Sequence, residues 1–180
     1  VNQRNYLIID ACVLLNLIAT GIIEKILGVV AQNSVICVLV KDESLFLRKE
    51  DDINETEPID IEDLIDKKLI QVCDCDTFDE QQAFINFAAV LDDGEAMSLA
   101  IALSRIWHLA TDDKKARRIF SENAPNNNLL VSTSDLIKEW AETNNIDDSE
   151  ITSILLKVQR KASFRPPKSD PNLQWWNDRT

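Results

Sequence analysis

Five acids, Asp10, Glu43, Glu95, Asp112 and Asp113, are the residues of this chain whose types and spacing could do chemistry. Each falls where an apolar run ends or a helical run begins. Carboxylates gathered at one sheet edge repel one another unless a cation lies among them. Hard oxygen donors of this kind suit Mg²⁺ or Mn²⁺, which take carboxylate and water ligands in octahedral geometry. Such ions polarise a phosphoryl oxygen and acidify water, and two of them can clamp an in-line displacement at phosphorus. The expected chemistry is phosphodiester hydrolysis, which needs no cysteine, serine or histidine nucleophile. The lone His108 lies inside the apolar run WHLAT and is read as packing.

Elements must bring these acids together. NYLIID, residues 5–10, predicts a strand that ends in an acid, and ACVLLNLIATG predicts a helix with Val13, Leu14, Leu17 and Ile18 at helical spacing, stopped by Gly21. IIEKILGVVA predicts a second helix. SVICVLV predicts a second strand, apolar and β-branched like a central parallel strand. Asp42 and Glu43 follow it, repeating the arrangement at Asp10 with an acid at a strand's end opening a helix. DDINETEPIDIEDLIDKK predicts an exposed acidic loop with a short amphipathic helix. LIQVCDC predicts a short strand, and DTFDEQQAFINFAAVL a helix capped by Asp76 or Thr77.

The stretch from Asp92 to Arg118 then holds a helix opened by Glu95, the strand WHLAT, the Asp112–Asp113 pair and the start of another helix. Asp92 and Asp93 are read as helix-start residues, explained by capping and the helix dipole. LLVST predicts a fifth strand. SDLIKEWAETNN predicts a helix capped by Ser134, and IDDSEITSILLKVQRKASF another starting from Asp148 or Ser149. RPPKSDPNLQWWNDRT is expected to be irregular, with Trp175 and Trp176 folded back. Alternating strands and helices predict a parallel α/β sheet covered on both sides. Residues 1–145 are expected to form the main domain, and 146–180 a helix and tail packed on it.

Composition agrees with a single helix-rich globule. The chain has 180 residues, 45% of them hydrophobic, with three glycines and five prolines. No apolar run reaches the roughly 18 residues of a membrane span, and a soluble, cytoplasmic protein is expected. Cys12, Cys37, Cys73 and Cys75 sit in or beside apolar segments and read as small hydrophobes in a reducing compartment, with no thiol-held metal. A formal net charge of -12 is unfavourable for nucleic acid, but residues 42–80 alone hold 15 acids and 4 bases. Two basic clusters lie outside that stretch: Lys114, Lys115, Arg117 and Arg118, and a C-terminal run from Lys157 through Lys161 to Lys168.

Taken together, LIIDACVLLNL, the acid after the second strand, DDGEAMSLAIAL and LATDDKKARRIF resemble a PIN-domain nuclease of the prokaryotic branch that includes toxin-like endoribonucleases. The resemblance covers most of residues 5–145, and its most specific part is GEA with an apolar helix followed by T-D-D-K-x-A-R. It implies a Rossmann-like three-layer α/β/α sandwich with about five short parallel strands, here with a C-terminal helical extension. It also implies Mg²⁺- or Mn²⁺-dependent RNase activity, an antitoxin partner and homodimerisation. Asp10, Glu43 and Glu95 match the family's acids. Asp113 fits the T-x-D spacing from Thr111, and Asp112 lies nearer the strand end; both are candidate ligands. Asn16 matches a polar position expected to orient Asp10 or a metal water, and Thr111 is a supporting residue. Cys12 departs from the Ser or Thr common at its place. Lys114, Arg117 and Arg118 are candidate contacts to RNA phosphates.

The competing reading is a catalytically silent PIN-like interaction protein whose acidic 42–80 segment binds a basic partner. Two other folds with acids at strand ends fit less well. A haloacid-dehalogenase-type phosphatase wants Asp where Cys12 stands, and a receiver domain wants a lysine that LLVSTSDL does not offer.

Overall fold

The computed structural model describes residues 3–49, 52 and 54–180. Strand β1 (Arg4–Ile9) leads into α1 (Ala11–Ala19) and α2 (Ile23–Val30), then β2 (Ala31–Cys37) and the one-turn helix α3 (Val38–Asp42). A small hairpin follows, β3 (Phe46–Arg48) and β4 (Thr56–Pro58), then α4 (Glu62–Asp66), β5 (Gln71–Cys73) and α5 (Phe78–Ala88). The second half runs α6 (Asp93–Arg105), β6 (His108–Ala110), α7 (Lys114–Asn123), β7 (Leu130–Val131), α8 (Thr133–Thr143), α9 (Asp148–Lys161) and α10 (Leu173–Asn177).

The main sheet is parallel throughout, in the order β5-β2-β1-β6-β7. Leu7, Ile8 and Ile9 of β1 are all fully buried, so the central strand is covered on both faces, as an all-parallel sheet requires. One helix group, α1, α2, α8 and α9, packs together, and so does a second, α3, α5, α6 and α7. This is the α/β architecture with C-terminal helices that the alternation predicted. The chain turns from one half of the sheet to the other at β1 and β6, and open parallel sheets bind ligands beyond the carboxyl ends of such strands.

The structure corrects several local readings. β2 ends at Cys37, and Val38–Asp42 is helical instead of extending the strand. β-branched residues favour strands only weakly, and here Val40 becomes fully buried where α3 meets α6. The segment after Glu43 forms no helix. Phe46–Arg48 pairs antiparallel with Thr56–Pro58. Of the expected 51–68 loop, residues 51 and 53 lie outside the described residues; the remainder holds β4 and α4. Ser132, not Ser134, caps α8 in a capping box with Asp135, and Asp147 caps α9, because these side chains reach the free amides. The C-terminal stretch contains a short helix, and Trp176 is fully buried.

Candidate active site

Asp10 follows β1 and caps α1. Its backbone N–H donates to Ala110 O at 3.0 Å, extending the β1–β6 pairing past the end of β1. The carboxylate is 2% exposed. Its Oδ1 accepts the Ala11 N–H at 2.8 Å, and Oδ2 accepts the Thr111 hydroxyl at 2.9 Å and the Cys12 thiol at 3.1 Å. Cys12 thus makes a bond of the kind expected from Ser or Thr. Burial pushes the Asp10 carboxyl above the usual carboxylate range, against these three donors, and the Asp113 charge pushes it the same way.

Thr111 is buried, and its hydroxyl also accepts the Asp113 N–H at 3.2 Å. Asp113 caps α7 through Oδ1 alone, which accepts the Lys115 and Ala116 N–H groups at 2.8 Å each. Asp112 faces different partners. Its Oδ1 accepts the Thr133 N–H at 3.0 Å, while Oδ2 accepts Asn16 Nδ2 at 3.0 Å and the Thr133 hydroxyl at 2.5 Å. Asn16 therefore holds Asp112 and Thr133 and makes no hydrogen bond to Asp10. This network ties the turn after β6 to the start of α8.

Glu43 stands at the C-terminal end of α3, exposed, with Oε1 seated over Gly94 in the first turn of α6. Burial of part of its side chain raises its carboxyl, and the charges of Asp10 and Asp92 add to the effect. Glu95, the third residue of α6, is pushed up to about 7 by burial first, then by Asp10, Asp113 and Asp92. The Asp10 charge thus reaches both Glu43 and Glu95, and the Asp113 charge reaches Asp10 and Glu95.

They also bring in Asp92, which the sequence reading set aside as a cap. It occupies the N-cap position of α6, yet its side chain makes no capping hydrogen bond. With Asp42, Glu43 and Asp93 it lines an open acidic cleft of about 520 Å³ between α3 and α6. The pair DD ahead of GEA was the available signal. A larger cavity, about 690 Å³, lies along β7 and α8, lined in part by Arg4, Lys138 and Glu139, and contains none of these carboxylates.

The basic candidates diverge. Lys114 is exposed at the start of α7. Arg117 donates to Thr111 O at 2.7 Å and Val131 O at 3.1 Å, bracing the ends of β6 and β7. Arg118 is exposed and lies 3.6 Å from Glu122.

The donor set fits a hard divalent cation: carboxylates from four segments, with no thiol or imidazole among them. As placed, no three potential ligands among the described residues converge tightly enough to hold an ion. Among the described residues, no helix is long and apolar enough to cross a membrane.

Comparison with known proteins matches residues 6–124 to a family described as the PIN domain. Neither the curated proteins nor the solved structures yield a match. The match spans β1 to α7 and includes Asp10, Glu43, Asp92, Glu95, Asp112 and Asp113. The chain belongs to the PIN-domain family, whose members are generally nucleases.

Proposed function

We propose that this protein is a divalent-cation-dependent nuclease that hydrolyses RNA phosphodiester bonds, with Asp10, Glu43, Glu95 and Asp113 as the groups that would hold Mg²⁺ or Mn²⁺. The observation that supports the reading is the placement of Asp10 and Asp113 just past β1 and β6, with Glu43 Oε1 seated over the first turn of the helix that carries Glu95; the Asp10 charge raises both glutamates. When bound, such an ion supplies Lewis-acid polarisation of the phosphoryl oxygen and a more acidic water.

The chain's own residues do the rest. Thr111, Cys12 and the Ala11 N–H orient Asp10. Asp113 is anchored through Oδ1, which leaves Oδ2 for the cation. Glu95, whose carboxyl is raised to about 7 by burial and the neighbouring acids, is a carboxylate whose charge a bound cation would offset. Asp112, engaged with Asn16 and Thr133, positions the turn that carries Asp113. Lys114, exposed at the start of α7, is the candidate contact to a phosphate.

The test is cleavage of unstructured RNA, with a DNA strand of matching sequence beside it, in Mg²⁺, Mn²⁺ or chelator. Wild type should cut only with cation. Asp10→Asn should lose at least about 100-fold, beyond the 10- to 100-fold typical of losing a supporting partner. Equal background rates in both proteins would leave the silent interaction protein, with its acidic 42–80 segment as the binding surface. On the nuclease reading the chain is the toxin of a toxin–antitoxin pair, so expression of wild type but not Asp10→Asn should arrest growth until a protein antitoxin is supplied.

A further inference from the structure

Beside the acidic site lies a groove that the carboxylate chemistry does not use. It holds about 380 Å³ and is walled by the start of α1, the β3–β4 hairpin, Asp112 and the turn after α9. That volume falls within the roughly 300–1,000 Å³ of small-molecule sites. Cys12, whose thiol donates to Asp10, is among its lining residues, as is Asp112, the neighbour of Asp113. The groove therefore adjoins the site.

Its walls combine three features. Phe46 and Arg48 alternate with Leu47 along β3, so both point outward while Leu47 is buried at 2% exposure. Phe46 is 50% exposed. A single exposed apolar side chain is ordinary on a surface; this one shares its strand face with Arg48 and lines a groove that adjoins the acidic site. The opposite wall is firm. Ser163 turns the chain after α9 at φ 57°, and Phe164 folds back to meet the buried Trp176 edge-on at 5.6 Å. Lys161 lies 3.3 Å from Glu57 of β4, fastening the hairpin to α9. Lys161, Ser163 and Phe164 all lie beyond the residues matched to the family, so this wall belongs to the chain's own C-terminal extension.

We propose that this groove is a subsite for an unpaired nucleotide next to the scissile phosphate, with Phe46 as the stacking platform for its base and Arg48 as a contact to its phosphate. Aromatic faces accept any unstacked base, and cationic neighbours follow the backbone. A base held in a duplex cannot reach such a platform. The proposal rests on the nuclease reading and names where one nucleotide of its substrate would sit.

The test uses the full chain in an Asp10→Asn background, titrated by fluorescence anisotropy with a short unstructured RNA, the matching DNA strand, a blunt RNA duplex and heparin. Phe46→Ala should weaken binding of the single strand by about tenfold or more, as loss of one stacked base does, and leave heparin unchanged. Phe46→Trp should restore binding, with its indole fluorescence quenched by the strand, which also covers any loss of fold in the alanine variant. Comparison of the RNA and DNA strands assigns the sugar. Undetectable binding of the strand to the protein with Phe46 intact, an unchanged affinity in Phe46→Ala, an equal loss for heparin, or equally tight binding of the duplex would each overturn the subsite. Cleavage by the unmutated protein is read separately. An active enzyme indifferent to Phe46 overturns the subsite alone, whereas an inactive one overturns the nuclease reading and leaves the binding result to decide the groove.

Discussion

Glu95 shows how one residue carries the conflict between folding and chemistry. Its carboxyl stands at about 7 in the folded protein, above its ordinary 4.5, because burial and three neighbouring acids oppose its charge. Between those two values the folded state holds more proton than the unfolded state, so stability falls as pH rises across that window. The full penalty is present above about pH 7 and absent below the ordinary value. In chelator-containing buffer, Glu95→Gln should therefore melt higher than wild type near pH 8 and level with it near pH 4, as read from thermal unfolding at both. An offset of equal size at the two pH values would mean that charge is not the cause. Side-chain engagement likewise separates the neighbouring pair at the end of β6. Asp112 gives both oxygens to Asn16 and Thr133, and Asp113 gives one to the amides of α7.

At the scale of elements, the meeting of α3 with the first turn of α6 sets the second acid. Gly94 makes that approach work, since a Cβ there would overlap Glu43 Oε1 and lie 3.3 Å from Val40 Cγ2. The first of these is the far end of a flexible side chain and can swing away. In a helix, alanine is also more favourable than glycine by up to about 1 kcal/mol. Gly94→Ala should accordingly fold with stability within about 1 kcal/mol of wild type, while displacing Glu43 and lowering cation-dependent cleavage by about 10- to 100-fold, the range for groups that seat metal ligands. Paired melting curves and cleavage rates check this. Unimpaired cleavage would remove Gly94 from any role in seating Glu43. A second element pairing, Arg105 of α6 with the buried Glu80 of α5 at 2.6 Å, fastens the two helices and draws the Glu80 carboxyl below its usual range.

For the whole molecule, the C-terminal residues behave as part of the fold. Ser134 donates to the Asp170 carboxylate at 2.9 Å, Asn172 donates to Asp135 at 2.6 Å, and Trp176 is wholly buried against Phe164. Trp176→Ala should cost about 3–5 kcal/mol, the range for emptying a buried tryptophan site, measured by urea unfolding. The lower end is expected because the indole N–H finds no acceptor among the described residues, so truncation also relieves an unmet donor. A cost below about 1 kcal/mol would make the tail an appendage, and the groove would lose the backing of its outer wall.

Much of this protein was decided locally and could be read from its sequence. The apolar run ending at Asp10, the helix entered at Glu95 and the strand before Thr111 are patterns of neighbours, and neighbours set backbone hydrogen bonding and the direction in which side chains face. That sufficed for the parallel α/β order and for the family. Tertiary structure decided what depends on distant partners. Val38–Asp42 became helical because Val40 found its burial against α6. Asp112 parted from Asp113 because Thr133 lies 21 residues further on, and Asn16 96 residues back. Arg117, read as a phosphate contact, also braces two strand ends, because one of its nitrogens meets their carbonyls. The groove at Phe46 exists only where a three-residue strand meets the end of a helix more than a hundred residues later. No local pattern encodes such a meeting, because it is the packing of the whole chain that brings those side chains within reach of each other.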